Sequence, residues 1–190
     1  MREIDLLEAA AQGTLRRVEE LLDAGANPNF AHPQYGNTPL SRACFTNRVD
    51  VVERLLQRGA DPNLRITYSS PVDGRVEKGI VALMFARSLE VVTALLEAGA
   101  DPNVQFEDGS TPLMRAVLAT PPSAVEALLA AGANPQAKDR RGLTAADLVR
   151  RRLDWLRSSQ ASESPKGKKR AADLERILAI LSAAAERDQR

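Results

Sequence analysis

The chain has 190 residues; 44% are hydrophobic by a broad count but only 4% aromatic, and 26 basic against 25 acidic side chains leave a formal charge of +1. That length can bury a sizeable core, and with so few aromatics the core must come from Ala, Leu and Val, which points to closely packed helices. One cysteine excludes a disulfide framework or a multi-cysteine zinc site, and one histidine removes most metal and acid–base chemistry.

In chain order, the N-terminal MREIDLLEAAAQG carries acids where a secretory signal would have its apolar run. No segment approaches the roughly 18 consecutive apolar residues of a membrane span. A cytoplasmic protein is expected, and the preference for Arg over Lys suits a bacterial source. From Leu21 a motif then recurs: LLDAGANPN at Leu21–Asn29, LLQRGADPN at Leu55–Asn63, LLEAGADPN at Leu95–Asn103 and LLAAGANPQ at Leu128–Gln136. Its glycines, at 25, 59, 99 and 132, are spaced by 34, 40 and 33 residues. The leucine pair, with Val51-Val52, Val91-Val92 or Ala124-Val125 before it, makes the apolar face of a short helix. Each glycine ends such a helix in the left-handed conformation, and the following Asn/Asp-Pro turns the chain.

A second element precedes two of these helices, GNTPLSRA at Gly36–Ala43 and GSTPLMRA at Gly109–Ala116. Thr38 and Thr111 are expected as N-caps, with Pro39 and Pro112 in the first helical position. Between them lies an enlarged connection, Arg65–Gly79, for which an extended hairpin closed by Pro-Val-Asp-Gly and a mobile loop both fit. From Gly79 to Gly99 the chain is three residues shorter than from Gly36 to Gly59, which predicts a shortened or strained helix. Further on come DRRGLTAADLV at Asp139–Val149, a polar stretch over 158–170 read as a solvated linker, and a last helix, Ala171–Glu186, with Leu174, Ile177, Leu178 and Leu181 on one face.

The G-x-T-P-L-x-x-A and L-L-x-x-G-A-D/N-P-N elements, recurring in register, resemble the ankyrin repeat family over most of the chain. The resemblance implies an all-α solenoid of stacked helix-turn-helix units with projecting β-turn or hairpin fingers. The units fall at about 4–29, 30–63, 64–103, 104–136 and 137–187, in one repeat domain spanning 1–190. Three departures stand out. Ser41, Met84 and Met114 replace the family's histidine, unit three has Val81-Ala82 for Thr-Pro, and the first unit lacks the Thr-Pro start.

The family places its binding residues on finger tips and on the exposed side of the first helices. Mapped here, that selects Gln34, Tyr35, Asn37, Phe45 and Thr46, then Gln105, Glu107, Asp108, Ser110 and Leu118, then Arg140, Arg141 and Leu143, with Tyr68 from the insertion. Phe30, Tyr35, Phe45, Tyr68 and Phe106 fall on turns or an inner helix, and aromatics with Arg dominate binding energy at interfaces. For Phe30 and Phe106, packing against neighbouring turns is the competing role. Met84 and Met114 are expected between repeats, Trp155 over the apolar edge of the last units, His32 in an exposed turn and Cys44 as a small buried residue. No catalytic residue, cofactor or metal site is expected. The function implied is a non-catalytic, monomeric protein–protein interaction module that binds a protein partner through its concave face and finger loops, without membrane contact. Neutralising a specific enzyme or toxin, as an immunity or inhibitor protein, is one form this could take.

Charge is unevenly distributed. Residues 1–137 hold 12 basic and 17 acidic groups, net −5, whereas 138–170 hold 11 and 4, net +7. The basic block includes Arg140, Arg141, Arg150, Arg151, Arg152, Lys166, Lys168, Lys169 and Arg170. A nucleic-acid-associated role for it is the competing class. It is disfavoured because such binding normally adds aromatic stacking or a recognisable fold, and neither accompanies the block in sequence.

Overall fold

Thr38, Thr111 and Thr144 cap the helices that follow them. The structure, a computed structural model, describes residues 2–69, 72, 74, 76–159 and 164–187. It divides into two compact units, Met1–Asp101 and Pro102–Arg190.

The N-terminal unit contains α1 (Arg2–Gln12), α2 (Leu15–Asp23), α3 (Pro39–Phe45), α4 (Val49–Gln57), β1 (Ile66–Ser69), β2 (Val76–Ile80), a four-residue 3-10 helix (Ala82–Phe85) and α5 (Leu89–Glu97). Thr38 caps α3 by accepting a hydrogen bond from the Ser41 N–H, and the Ser41 hydroxyl accepts one from the Thr38 N–H. Ser41 thus completes a reciprocal capping box at the position where the family carries histidine. Leu6, Val18, Leu40, Ala43, Val51, Leu55, Leu83 and Leu95 form a core of small and branched side chains. Inner helix α3 packs on α1, on α4 and on the 3-10 helix, while α4 lies between α2 and α5.

The enlarged connection forms an antiparallel hairpin in its described residues, with Ile66 opposite Ile80 and Tyr68 opposite Glu77. A bulge between Ile66 and Thr67 re-aims the strand. Pro71 and Asp73 of the expected turn lie outside the described residues. The shortening expected in unit three is the 3-10 helix, whose N-cap position is Val81, with no side-chain cap because Thr is missing there.

The C-terminal unit contains α6 (Pro112–Ala119), α7 (Pro122–Ala130), α8 (Ala145–Ser158) and α9 (Pro165–Arg187). Helix α6 packs on α7 and α8, and α9 packs on α7 and α8. Thr111 caps α6, and Thr144 forms a capping box with Asp147 at the start of α8. The polar linker is shorter than its composition suggested. Ser164 accepts a hydrogen bond from the Gly167 N–H at 3.0 Å, its carbonyl accepts from Lys168, and Pro165 occupies the first helical position. Ser-Pro therefore starts a helix within the stretch assigned to linker, and Lys166–Arg170 belong to α9. Leu174, Ile177 and Leu181 are buried along α9, as the sequence pattern requires.

Within each unit, the asparagine ending the recurrent motif spans to the next turn. The Asn29 side chain donates to the Gly59 carbonyl and accepts from the Asp61 N–H, and Asn63 does the same with Gly99 and Asp101. Asn103 repeats the arrangement with Gly132 and Asn134. These side-chain staples join turns some 30 residues apart and satisfy exposed backbone groups at the helix ends.

Candidate functional site

In the N-terminal unit, the turn before α3 is closed by His32. Its backbone N–H donates to the Asn37 carbonyl at 2.9 Å, and its Nδ1 accepts from the N–H groups of Gln34 and Tyr35. The imidazole stacks on Tyr35 at 4.9 Å, so His32 is half-buried and shapes the finger instead of lying free in it. The hairpin docks on this finger through the Ser69 N–H, which donates to the Tyr35 carbonyl at 3.0 Å. Gly36 makes that approach possible: with φ +70°, an added Cβ would sit 1.7 Å from the Thr67 carbonyl oxygen.

Docking the hairpin brings three rings together. Phe85 lies edge-on to Tyr68, centroids 5.5 Å apart, and edge-on to Phe45 at 6.4 Å. The Arg87 guanidinium covers Phe45 at 4.7 Å from its centroid. Phe45 keeps 50% of its surface exposed despite these neighbours. Beside the rings is a cavity of about 260 Å³ between α1 and the fingers, lined by Ile4, Leu7, Glu8, His32, Tyr35, Asn37, Arg42 and Tyr68. Asn37 is buried, and its Oδ1 has no hydrogen-bond partner among the described residues.

In the C-terminal unit the corresponding finger is held by carboxylates. The Asp108 side chain accepts from the Ser110 N–H at 2.9 Å and from its hydroxyl at 2.6 Å. Partial burial raises the Asp108 pKa, but these bonds and Arg115 outweigh it and hold the group below the usual carboxylate range. Asp139 accepts from the N–H groups of Leu143 and Arg141 and pairs with the Arg141 guanidinium at 3.0 Å. These bonds, led by that from Leu143, depress its pKa as well. The Arg140 N–H donates to the Asp108 carbonyl, which joins successive fingers.

Among the positions selected from sequence, Tyr35, Phe45 and Tyr68 converge on one surface, and Gln34 is exposed at its finger. Thr46 bonds back to the Arg42 carbonyl and ends α3. Gln105, Glu107, Asp108, Leu118, Arg140 and Arg141 are exposed in the other unit. Two positions are corrected. Asn37 and Ser110 are buried, because each is drawn under its finger by the turn that precedes the Thr cap. Leu143 is half-buried in the equivalent slot. Phe106 is buried too and belongs to packing. Phe85 and Arg87 escaped selection, because the shortened helix displaces Phe85 from the slot that Phe45 and Leu118 share, seven residues after the capping threonine.

The described chemistry is sparse. Cys44 has no exposed surface, and burial pushes its thiol well above the ordinary range. Among the described residues, no group of three or more His, Cys, Asp or Glu is placed to hold a metal ion, and no helix is long and apolar enough to cross a membrane.

Residues 5–66 match the family model for ankyrin repeats in three copies, and residues 87–149 match the one for many copies. The chain is 34% identical to the bovine mitochondrial disaggregase over 170 residues and 32% identical to the human one over 196 residues, in each case over 88% of this chain. It spans only about a quarter of those proteins, 24% and 28%. A shorter stretch of 70 residues, 36% of this chain and 17% of the relative, is 44% identical to mouse ankyrin repeat and SOCS box protein 6. Repeated motif, capped helix pairs and family matches agree: the chain belongs to the ankyrin repeat proteins, with an all-α fold of stacked repeats.

Proposed function

We propose that the chain is a non-catalytic recognition module that binds a protein partner through the surface around Phe45, Tyr35 and Tyr68. Ankyrin repeats are generally protein–protein interaction modules. The observation that carries the assignment to this surface is the half-exposed Phe45 ring, fixed between Phe85 and Arg87 before any partner arrives. An anchor already held in place loses little side-chain freedom on binding. The adjoining cavity offers room for a side chain of the partner, with Glu8 and Arg42 at its wall. In the disaggregases the matching segment is about a quarter of the protein, which supports reading it as a separable binding portion. A cytoplasmic location is part of this proposal.

The test is capture from native lysate with the wild-type chain and with Tyr35→Ala/Phe45→Ala. A partner retained at high salt by the wild type should bind the double variant about 30-fold more weakly or worse, as loss of an aromatic anchor worth about 2 kcal/mol requires. A partner that binds both equally would move the site elsewhere.

A further inference from the structure

The C-terminal unit holds a second surface, chemically unlike the first. Four of its arginines are paired with acids: Arg141 with Asp139, Arg150 with Asp147, Arg157 with Glu175 and Arg176 with Glu126. The groove between α8 and α9 departs from that pattern. It encloses about 490 Å³, within the range of roughly 300–1,000 Å³ typical of ligand sites, and gathers Arg152, Lys166, Lys169 and Arg170 against one acid, Asp173. Lys166, Lys169 and Arg170 project from one face of α9 at helical spacing. None of these cations forms an ion pair with a described carboxylate; Arg170 donates instead to the Leu118 carbonyl.

Trp155 stands in the same groove. It is 50% exposed, and the Arg152 guanidinium lies 4.4 Å from its ring centroid. Half of its surface thus remains open to solvent. Trp155 sits within the basic block itself, and the fold completes the pairing, because α9 begins at Pro165 and sets its lysines against the exposed side of α8.

We propose that this groove binds a single-stranded nucleic acid segment. One base stacks on the Trp155–Arg152 pair, while Lys166, Lys169 and Arg170 face the phosphates on either side. Cations not paired with a described carboxylate, beside an exposed aromatic ring, are the two parts such binding requires, and the contact is indifferent to base identity because every base has a π-face. An acidic peptide would satisfy the lysines but would leave the flat Trp–Arg ledge unused.

Trp155 is the only tryptophan, so its fluorescence reports this groove alone. The full chain is titrated with an oligothymidylate of about 12 nucleotides at low salt, by fluorescence and by anisotropy of a labelled strand. Saturable quenching is expected, with log affinity falling against log salt at a slope of about −2, for three phosphates at roughly −0.7 each. Lys166→Gln/Lys169→Gln should flatten that slope to about −0.7, the value for one remaining phosphate contact. Trp155→Leu, followed by anisotropy, should weaken binding about five-fold or more. All three positions are solvent-facing, and circular dichroism confirms that each variant is folded. Absence of quenching at low salt overturns the proposal. So does unchanged affinity in Trp155→Leu, which would leave only diffuse charge attraction. Equal quenching by a polyglutamate peptide of matched charge would assign the groove to an acidic protein instead.

Discussion

The two units close the same finger turn with different chemistry. In Met1–Asp101, the residue before the finger glycine is Tyr35, and the turn is held by an imidazole, a stacked ring and a docked hairpin strand. In Pro102–Arg190, the equivalent residue is Asp108, and the next finger is closed around Asp139. The first solution leaves aromatic surface at the finger, whereas the second consumes its polar groups internally and leaves the backbone joined to its neighbour. One scaffold therefore carries a finger built to offer contact and fingers built to stay closed.

The largest expected effect separates the two fingers at their glycines. Gly36→Ala would drive a Cβ into the Thr67 carbonyl, whereas Gly109→Ala meets the Arg140 nitrogen at 2.9 Å, with φ +75°. Urea unfolding should show a loss of about 4 kcal/mol for the first and about half of that for the second. Equal losses would mean that the hairpin yields and the first finger is not rigidly docked.

An intermediate effect tests what the units share. Asn63→Ala and Asn103→Ala each remove two hydrogen bonds between successive turns and should cost about 1–2 kcal/mol. Gln136 holds the same motif position, and its side chain makes no such staple among the described residues, so Gln136→Ala should stay within about 0.5 kcal/mol. A uniform response at all three positions would remove the staples from the account of stability.

The smallest effect is a difference in acid response. The pKa values of Asp108, Asp139 and Asp147 are depressed in the folded C-terminal unit. Stabilisation from such groups is present above the unfolded-state value of about 3.9 and is lost as pH falls through the folded values. Hydrogen exchange across that window should show the fingers at 106–111 and 139–144 losing protection as the pH falls. Asp139→Asn should flatten the response of the 139–144 finger.

Much of this architecture is legible in the residues. Thr38-Pro39 and Thr111-Pro112 announce helix starts because capping is local, and Gly79–Gly99 is short enough by about one turn to foretell a shortened or strained helix, which is the 3-10 helix. Ser164-Pro165 carries the same local signal, masked by the lysines and serines around it. What could not be read locally depends on partners distant in sequence. The asparagine staples need a carbonyl some 30 residues on, Phe85 joins Phe45 only across α3 and the shortened helix, and Trp155 meets Lys166 only when α9 packs on α8. Analogy with finger tips puts Asn37 and Ser110 on the surface, whereas turn geometry tucks them under.

The lone cysteine has a use that its inertness creates. Cys44 lies fully buried on α3 in the N-terminal unit, and its thiol can meet a solution reagent only after that unit opens. Its labelling rate is therefore an opening clock for one half of the molecule. Trp155 supplies an independent optical signal from the other half. The unmodified chain can thus reveal whether its halves unfold together or in sequence, without a single engineered probe.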